Sequence, residues 1–321
     1  MKKSSGFVRN YLSRGGSYVF VLFLTITAVV ACLPQTAAAA WTKRVIDGGY
    51  VGDSSIAVDS SGHVHMSLVK GARLFYIHNK TGKWVKQLID NSETAGEYTS
   101  IAIDSSGKVH VSYYNETNTA LKYATNATGV WVKTTVDNAG DVGRSNSIAV
   151  DSSGKVHISY YDETDSALKY ATNATGDWVK KTVDDSAAVG EDSAIAVESS
   201  GKVHISYYDE TNSALKYATN ATGIWGTRTI DDSGNVGYFN SIAVDSGGKV
   251  HISYFDETSS ALKYATNATS EWVKTTVDNS GHVGYCTSIA VDGSGKVHIS
   301  YYDLQPGNFM LTDIFLKYTT N

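Results

Sequence analysis

Cysteine is nearly absent from this chain: 321 residues hold only Cys32 and Cys286, and Cys32 lies inside an apolar leader. With one cysteine left beyond the leader, an intrachain disulfide and a Cys-based zinc site are both excluded. Arginine is scarce as well. Beyond residue 40 only Arg44, Arg73, Arg144 and Arg228 remain, and Arg44 and Arg228 each follow a Trp by three residues. At most two arginines can therefore reach one site, so a clamp of three around a single carboxylate is excluded. Positive charge is short overall. Setting aside the four basic residues of the leader, 23 Lys and Arg face 32 Asp and Glu, a net charge of −9. Proteins that track nucleic-acid phosphates need a basic face, so no nucleic-acid partner is expected. Helical periodicity is missing throughout, and no apolar run reaches the ~20 residues that a membrane helix requires.

The leader itself carries Lys2, Lys3, Arg9 and Arg14 without an acid, an apolar run from Tyr18 to Ala31, and Ala38-Ala39-Ala40. These are the three regions of a secretory signal peptide, which predicts removal of residues 1–40 and a mature domain of residues 41–321. A second reading uses Val29-Val30-Ala31-Cys32, which resembles a bacterial lipobox. On that reading Cys32 is lipidated and residues 33–40 form a short tether to a membrane. Either way the protein is expected to be secreted, periplasmic or on the cell surface.

What remains is repetition. Trp41, Trp84, Trp131, Trp178, Trp225 and Trp272 are all six tryptophans, spaced by 43 and then four times by 47. His65, His110, His157, His204, His251 and His298 keep the same beat, at 45 and then four times 47. Such a period, filled with short alternating segments, marks a repeat architecture. The unit from Trp178 to Gly223 reads as four strands. Trp178 to Asp184 is β-prone, Ser193 to Val197 is short and apolar, and Lys202 to Asp209 alternates Val203, Ile205 and Tyr207 against His204, Ser206 and Tyr208. Ala214 to Thr219 is the fourth, and polar Gly- and Asn-bearing turns join them. Four-stranded antiparallel sheets repeated radially predict an all-β, six-bladed β-propeller. The Ile-Ala-Val strand belongs innermost, because small residues fit a crowded axis, and the Trp strand outermost. The mature chain starts with an outer strand, 41–47, and ends with a third strand. Pairing the two would close the ring in the last blade and leave no open sheet edge.

The unit Ser-Ile-Ala-Val-Asp-Ser-Ser-Gly-Lys-Val-His-Ile-Ser-Tyr-Tyr-Asp resembles repeats of exported bacterial propellers of the BNR or Asp-box, sialidase-like superfamily. The loop Asn173-Ala-Thr-Gly176 stands where that family places an Asp two residues before its Gly. There is no Trp-Asp dipeptide of the WD-repeat type. The resemblance implies a propeller with carbohydrate-related relatives. Sialidase chemistry would need the three-arginine clamp that this chain lacks, so no catalytic residue is assigned.

The repeated His and Trp residues read as scaffold: buried imidazoles bonded to Ser, Asp or backbone, and inter-blade packing residues. No metal site or cofactor is expected, since the Asp-rich turns lack the D-x-D-x-D-G spacing of a calcium loop. Function is expected where the repeat varies. The residues after each Val-Gly or Ala-Gly read Glu97-Tyr98-Thr99, Arg144-Ser145-Asn146, Glu191-Asp192-Ser193, Tyr238-Phe239-Asn240 and Tyr285-Cys286-Thr287. As loops leading into the innermost strands they would ring one mouth of the channel. Tyr98, Phe239, Tyr238 and Tyr285 would stack on a ligand, while Glu97, Arg144, Asn146, Glu191 and Asp192 hydrogen-bond to it. The expected function is a non-catalytic, monomeric, exported propeller that binds a glycan or an extracellular or periplasmic protein. The alternatives are a divergent glycoside hydrolase or lyase using rim carboxylates, and a purely structural surface protein. A twelve-residue segment, Leu304 to Phe315, replaces a short turn in the last repeat and is apolar at Pro306, Phe309, Met310, Leu311 and Ile314. It is expected to act as a flap or plug.

Overall fold

The structure, a computed structural model, describes residues 45–48, 52–92, 94–305 and 313–321. The compact unit Ile46–Asn321 is built entirely from antiparallel strands, with no helix among the described residues. Five sheets have four strands each and the sixth has three, each ordered as the chain runs. The fourth sheet shows the plan: an inner strand Val189–Val197, a second strand Val203–Asp209, a third strand Ala214–Thr219 and an outer strand Gly226–Asp231. Its register aligns Ile195 with Ile205, Ser206 with Tyr217, and Tyr217 with Arg228. Every residue of the second strand is buried, as expected of a strand covered on both faces by neighbouring sheets. The Asn of each Asn-Ala-Thr loop is a local clasp. Asn220 Oδ1 accepts the Val203 N–H at 2.8 Å, and Asn126, Asn173 and Asn267 repeat the bond.

Neighbouring sheets are joined by the repeated residues. Trp131, Trp178, Trp225 and Trp272 each set an edge against a third-strand Tyr of the preceding sheet, at ring separations of 5.0–5.3 Å. The Trp residues are thus inter-sheet packing. The repeated His residues are bonded not to Ser but to Tyr and a carboxylate. His157 meets the Tyr170 hydroxyl at 2.6 Å through Nδ1 and Asp151 at 3.5 Å through Nε2. A third device lies farther out. Tyr207 donates to Asp184 of the preceding sheet at 2.7 Å, and Lys216 bridges Asp184 and Asp209 at 2.6 and 3.7 Å.

Two expectations change. The variable triplets are not loops: they lie inside nine-residue inner strands, as a β-bulge. Glu191 pairs with Tyr208 and Ala194 with Ser206, so two residues on one strand face a single residue on the other. The twelve-residue expansion lengthens a hairpin at its base, where Leu304 pairs with Ile314 and Gln305 with Asp313. Its centre, 306–312, lies outside the described residues. So do Trp41, Arg44, the leader with Cys32, and the start of the expected closing strand.

The first and the last sheet each leave side chains uncovered that are buried in the sheets between them. Ile56 is 64 % exposed, whereas its counterpart Ile101 is 6 % exposed. On the sixth sheet Leu316 and Tyr318 are 72 % and 62 % exposed, against 0 % and 8 % for Leu215 and Tyr217. Asp47 nevertheless pairs with Lys70 and Lys86 of the first sheet. Asp90, ending the outer strand of the first sheet, likewise pairs with Lys133 of the second.

Candidate ligand site at the channel mouth

Each bulge starts from a glycine that has no substitute. Gly190 has φ +112°, and a Cβ there would lie 2.7 Å from the backbone of Leu168 in the preceding sheet. That close approach fixes where the next three residues point.

Those three positions go to three different places. The third is buried between sheets: Thr99, Asn146, Ser193, Asn240 and Thr287 are each 7–8 % exposed. Ser193 bonds the Ser159 hydroxyl at 2.9 Å, and Asn146 bonds Ser112. Asn146 is therefore chiefly an inter-sheet clasp, though it also borders the channel. The first position faces the blade interface. Tyr238 stacks on Tyr208 with centroids 3.9 Å apart, and Tyr285 lies 4.2 Å from Phe255. Arg144 sits 5.1 Å over the Tyr114 ring and pairs with Asp141 at 3.1 Å. Tyr238, Tyr285 and Arg144 are thus already engaged with the preceding sheet.

The second position faces the channel. Tyr98, Ser145, Asp192, Phe239 and Cys286 all have φ between +44° and +53°. This left-handed region is uncommon for non-glycine residues and is a true outlier for bulky ones such as Tyr and Phe. All five border one cavity of about 440 Å³, together with Asp53 of the first sheet. Every sheet contributes to that lining, so the cavity lies where the six inner strands converge, the place expected of a channel mouth. Asp53 was not among the residues expected from the sequence, because the first repeat is two residues shorter. Counting back three from Ile56, as from Ile101 to Tyr98, finds it. Ser145 and Cys286 are recovered by the same count.

The mouth is acidic. Burial raises the carboxyl of Glu191, and Glu210, Asp192 and Glu163 raise it further. Burial also raises Glu97, with Glu116 and Asp53 adding to the effect and Arg144 opposing it. Asp192 is raised by burial against the Phe239 N–H, which lowers it. A second cleft of about 550 Å³ opens beside the channel between the first two sheets, lined among others by Asp53, Glu97, Tyr98 and Glu116. Among the described residues no group of three His, Cys, Asp or Glu side chains is placed to hold a metal ion.

No protein-family model and no curated protein matches the chain. Solved structures do. The Aleuria aurantia lectin, as a mutant in complex with Fucα1-6GlcNAc, aligns with a TM-score of 0.56 at 10 % identity, covering 82 % of this chain and 94 % of that one. A Penicillium chrysogenum α-L-arabinanase complexed with arabinobiose gives 0.55 at 12 %, covering 83 % and 93 %. An ulvan lyase, from a family of polysaccharide lyases, gives 0.58 at 12 %, covering 82 % and 78 %. At these identities the likeness is one of fold. It places the chain among all-β proteins built from antiparallel sheets in the manner of a six-bladed propeller.

Proposed function

We propose that this protein is a non-catalytic, exported, monomeric propeller that binds a carbohydrate at the channel mouth. The observation that carries the reading is the ring of second-position residues. Nearly everything around them repeats, yet they differ from sheet to sheet, and each holds a left-handed backbone that costs about 1–3 kcal/mol for a non-glycine residue. Glycine there would remove the strain and also the side chains lining the cavity. Half-exposed Tyr98 and Phe239 offer ring faces to a sugar, and the neighbouring Ser and Thr hydroxyls suit its polar edge. That similar folds include a lectin and enzymes acting on polysaccharides is in keeping with this reading. A glycan array probed with the protein, and with Tyr98→Ala and Phe239→Ala, tests it. Binding that survives both changes removes the site from consideration.

A hydrolase or lyase reading draws on one observation, the raised carboxyl of Glu191 among other acids, which suits a general acid. It predicts reducing ends released from a polysaccharide panel and lost in Glu191→Gln. The same proposal includes closure of the ring by the strand 41–47, supported by the way the Asp47–Lys86 pair repeats that of Asp90 with Lys133. Deleting residues 41–45 would then lower the melting temperature sharply.

A further inference from the structure

We propose that the ligand of the channel mouth is cationic: an oligosaccharide with free, protonated amino groups, in preference to a neutral or acidic one. This rests on the carbohydrate reading above and names its substrate class. Taken in sheet order, the channel-facing residues are Asp53, Tyr98, Ser145, Asp192, Phe239 and Cys286. In a ring of six, sheets one and four face each other, as do two and five. The two carboxylates are therefore opposed across the channel, and so are the two aromatic rings.

The pairs are also built alike. Asp53 Oδ2 accepts the backbone N–H of Tyr98 at 2.6 Å, and Asp192 Oδ2 accepts that of Phe239 at 3.0 Å. Each carboxylate is thus held beside the aromatic residue of the next sheet, with one oxygen spent on orientation. Both Asp residues line the cavity. A carboxylate fixed beside an aromatic residue can receive an organic ammonium group, through an ion pair with the one and a cation–π contact with the other. The channel presents it twice.

The surroundings favour the same charge. Glu97 and Glu191 flank the two Asp residues, and mutual repulsion with Glu116, Glu163 and Glu210 adds to burial in raising them. The one arginine at the rim, Arg144, is engaged with Asp141. Among the described residues that line the cavity there is no Lys or Arg, so an acidic sugar would meet carboxylates unneutralised, whereas a protonated amine relieves their repulsion. The hydroxyls of Ser54, Thr99 and Ser147 favour an amino sugar over a lysine side chain, because they match ring hydroxyls.

Isothermal titration of the full chain near pH 6 tests the proposal with four probes: a glucosamine hexamer, its N-acetylated counterpart, an oligogalacturonate and hexalysine. The expected result is binding of the glucosamine hexamer at least tenfold tighter than the N-acetylated one. Asp192→Asn and Asp53→Asn should each weaken it about tenfold, as should raised salt, and oligogalacturonate should not bind. Asn keeps an oxygen for the N–H of the next sheet, so both variants should fold, and either one alone reads the effect. Equal or tighter binding of the acetylated or acidic probe, or indifference to both Asn variants, overturns the charge inference. If that binding is still lost in Phe239→Ala, the carbohydrate reading survives. Binding of hexalysine without any sugar, or of no probe while the glycan array is also blank, overturns both.

Discussion

Lys216 provides a quantitative test of what joins the sheets. Its ammonium group lies between Asp184, which ends the outer strand of the third sheet, and Asp209 of its own fourth sheet. All three are nearly inaccessible to solvent. Burial alone would raise the Asp184 carboxyl, but Lys216, Ser186 and Tyr207 together hold it below the usual range. Its stabilising contribution is therefore complete above about pH 4 and fades as pH falls through the lowered value. Lys216→Met removes the cation and leaves two buried carboxylates facing one another. Breaking a buried ion pair from one side costs about 3–5 kcal/mol. At about 2–4 °C per kcal/mol for a domain of this size, the melting temperature should fall by about 6–20 °C at pH 7.5. The sign of the pH dependence then inverts. Without its cation Asp184 should rise above the ordinary carboxylate value, so the deficit grows with rising pH and shrinks towards pH 5 as a proton is taken up. The repeat supplies an internal control. Lys169 bridges Asp137 and Asp162 in the same way, both at 3.1 Å, but Lys180 also holds Asp137 at 3.0 Å. Arg228 stands one residue beyond the position equivalent to Lys180, and Thr227 occupies it, so Asp184 has no second lysine. Lys169→Met should thus lose clearly less. Thermal unfolding followed by circular dichroism from pH 5 to 8 decides the matter. Equal losses in the two variants, or a Lys216→Met deficit that is flat with pH, would refute the reasoning.

Mild acid should weaken the fold through the histidines. Burial lowers His110, His157 and His204 against the pull of Asp104, Asp151 and Glu198. The unfolded chain thus takes up protons below about pH 6.5 while the folded chain does not, and stability falls from pH 7 towards the folded values. Glu97, Glu191 and Asp192 shift in the opposite sense, but their ordinary values lie near 4. A melting temperature that does not drop between pH 7 and pH 6 contradicts this. Gly190→Ala places a methyl group 2.7 Å from the Leu168 backbone at φ +112°, and should cost about 2–4 kcal/mol. Gly223→Ala, at φ +90° with nothing within 4 Å, should cost only about 1 kcal/mol. Similar melting temperatures for the two variants would mean that the sheets do not approach each other closely at Gly190.

Much of the architecture was legible because a repeat states each local rule several times. The alternation of Val203, Ile205 and Tyr207 against His204, Ser206 and Tyr208 needs no tertiary information to read as a strand covered on both faces. That the Trp residues pack between sheets followed from period and phase, but their Tyr partners did not. The candidate site was legible only as a place where the repeat varies. Adjacent residues such as Glu191, Asp192 and Ser193 look equivalent in the sequence. The bulge separates them, sending Glu191 to the blade interface, Asp192 into the channel and Ser193 between sheets. The pairing of Tyr238 with Tyr208, which lie 30 residues apart, had no local signal.

Composition and period alone therefore determined an all-β chain of six units, because strand alternation and turn chemistry are short-range properties. Which side chains face the cavity was decided only in three dimensions. It depends on a left-handed residue inside each inner strand and on the order of sheets around an axis. In the closed ring proposed above, that order would set Asp53 across from Asp192, and Tyr98 across from Phe239. Side-chain direction after a bulge depends on backbone angles that many sequences can adopt, so it becomes definite only when a neighbouring sheet, as at Leu168 beside Gly190, leaves room for one arrangement.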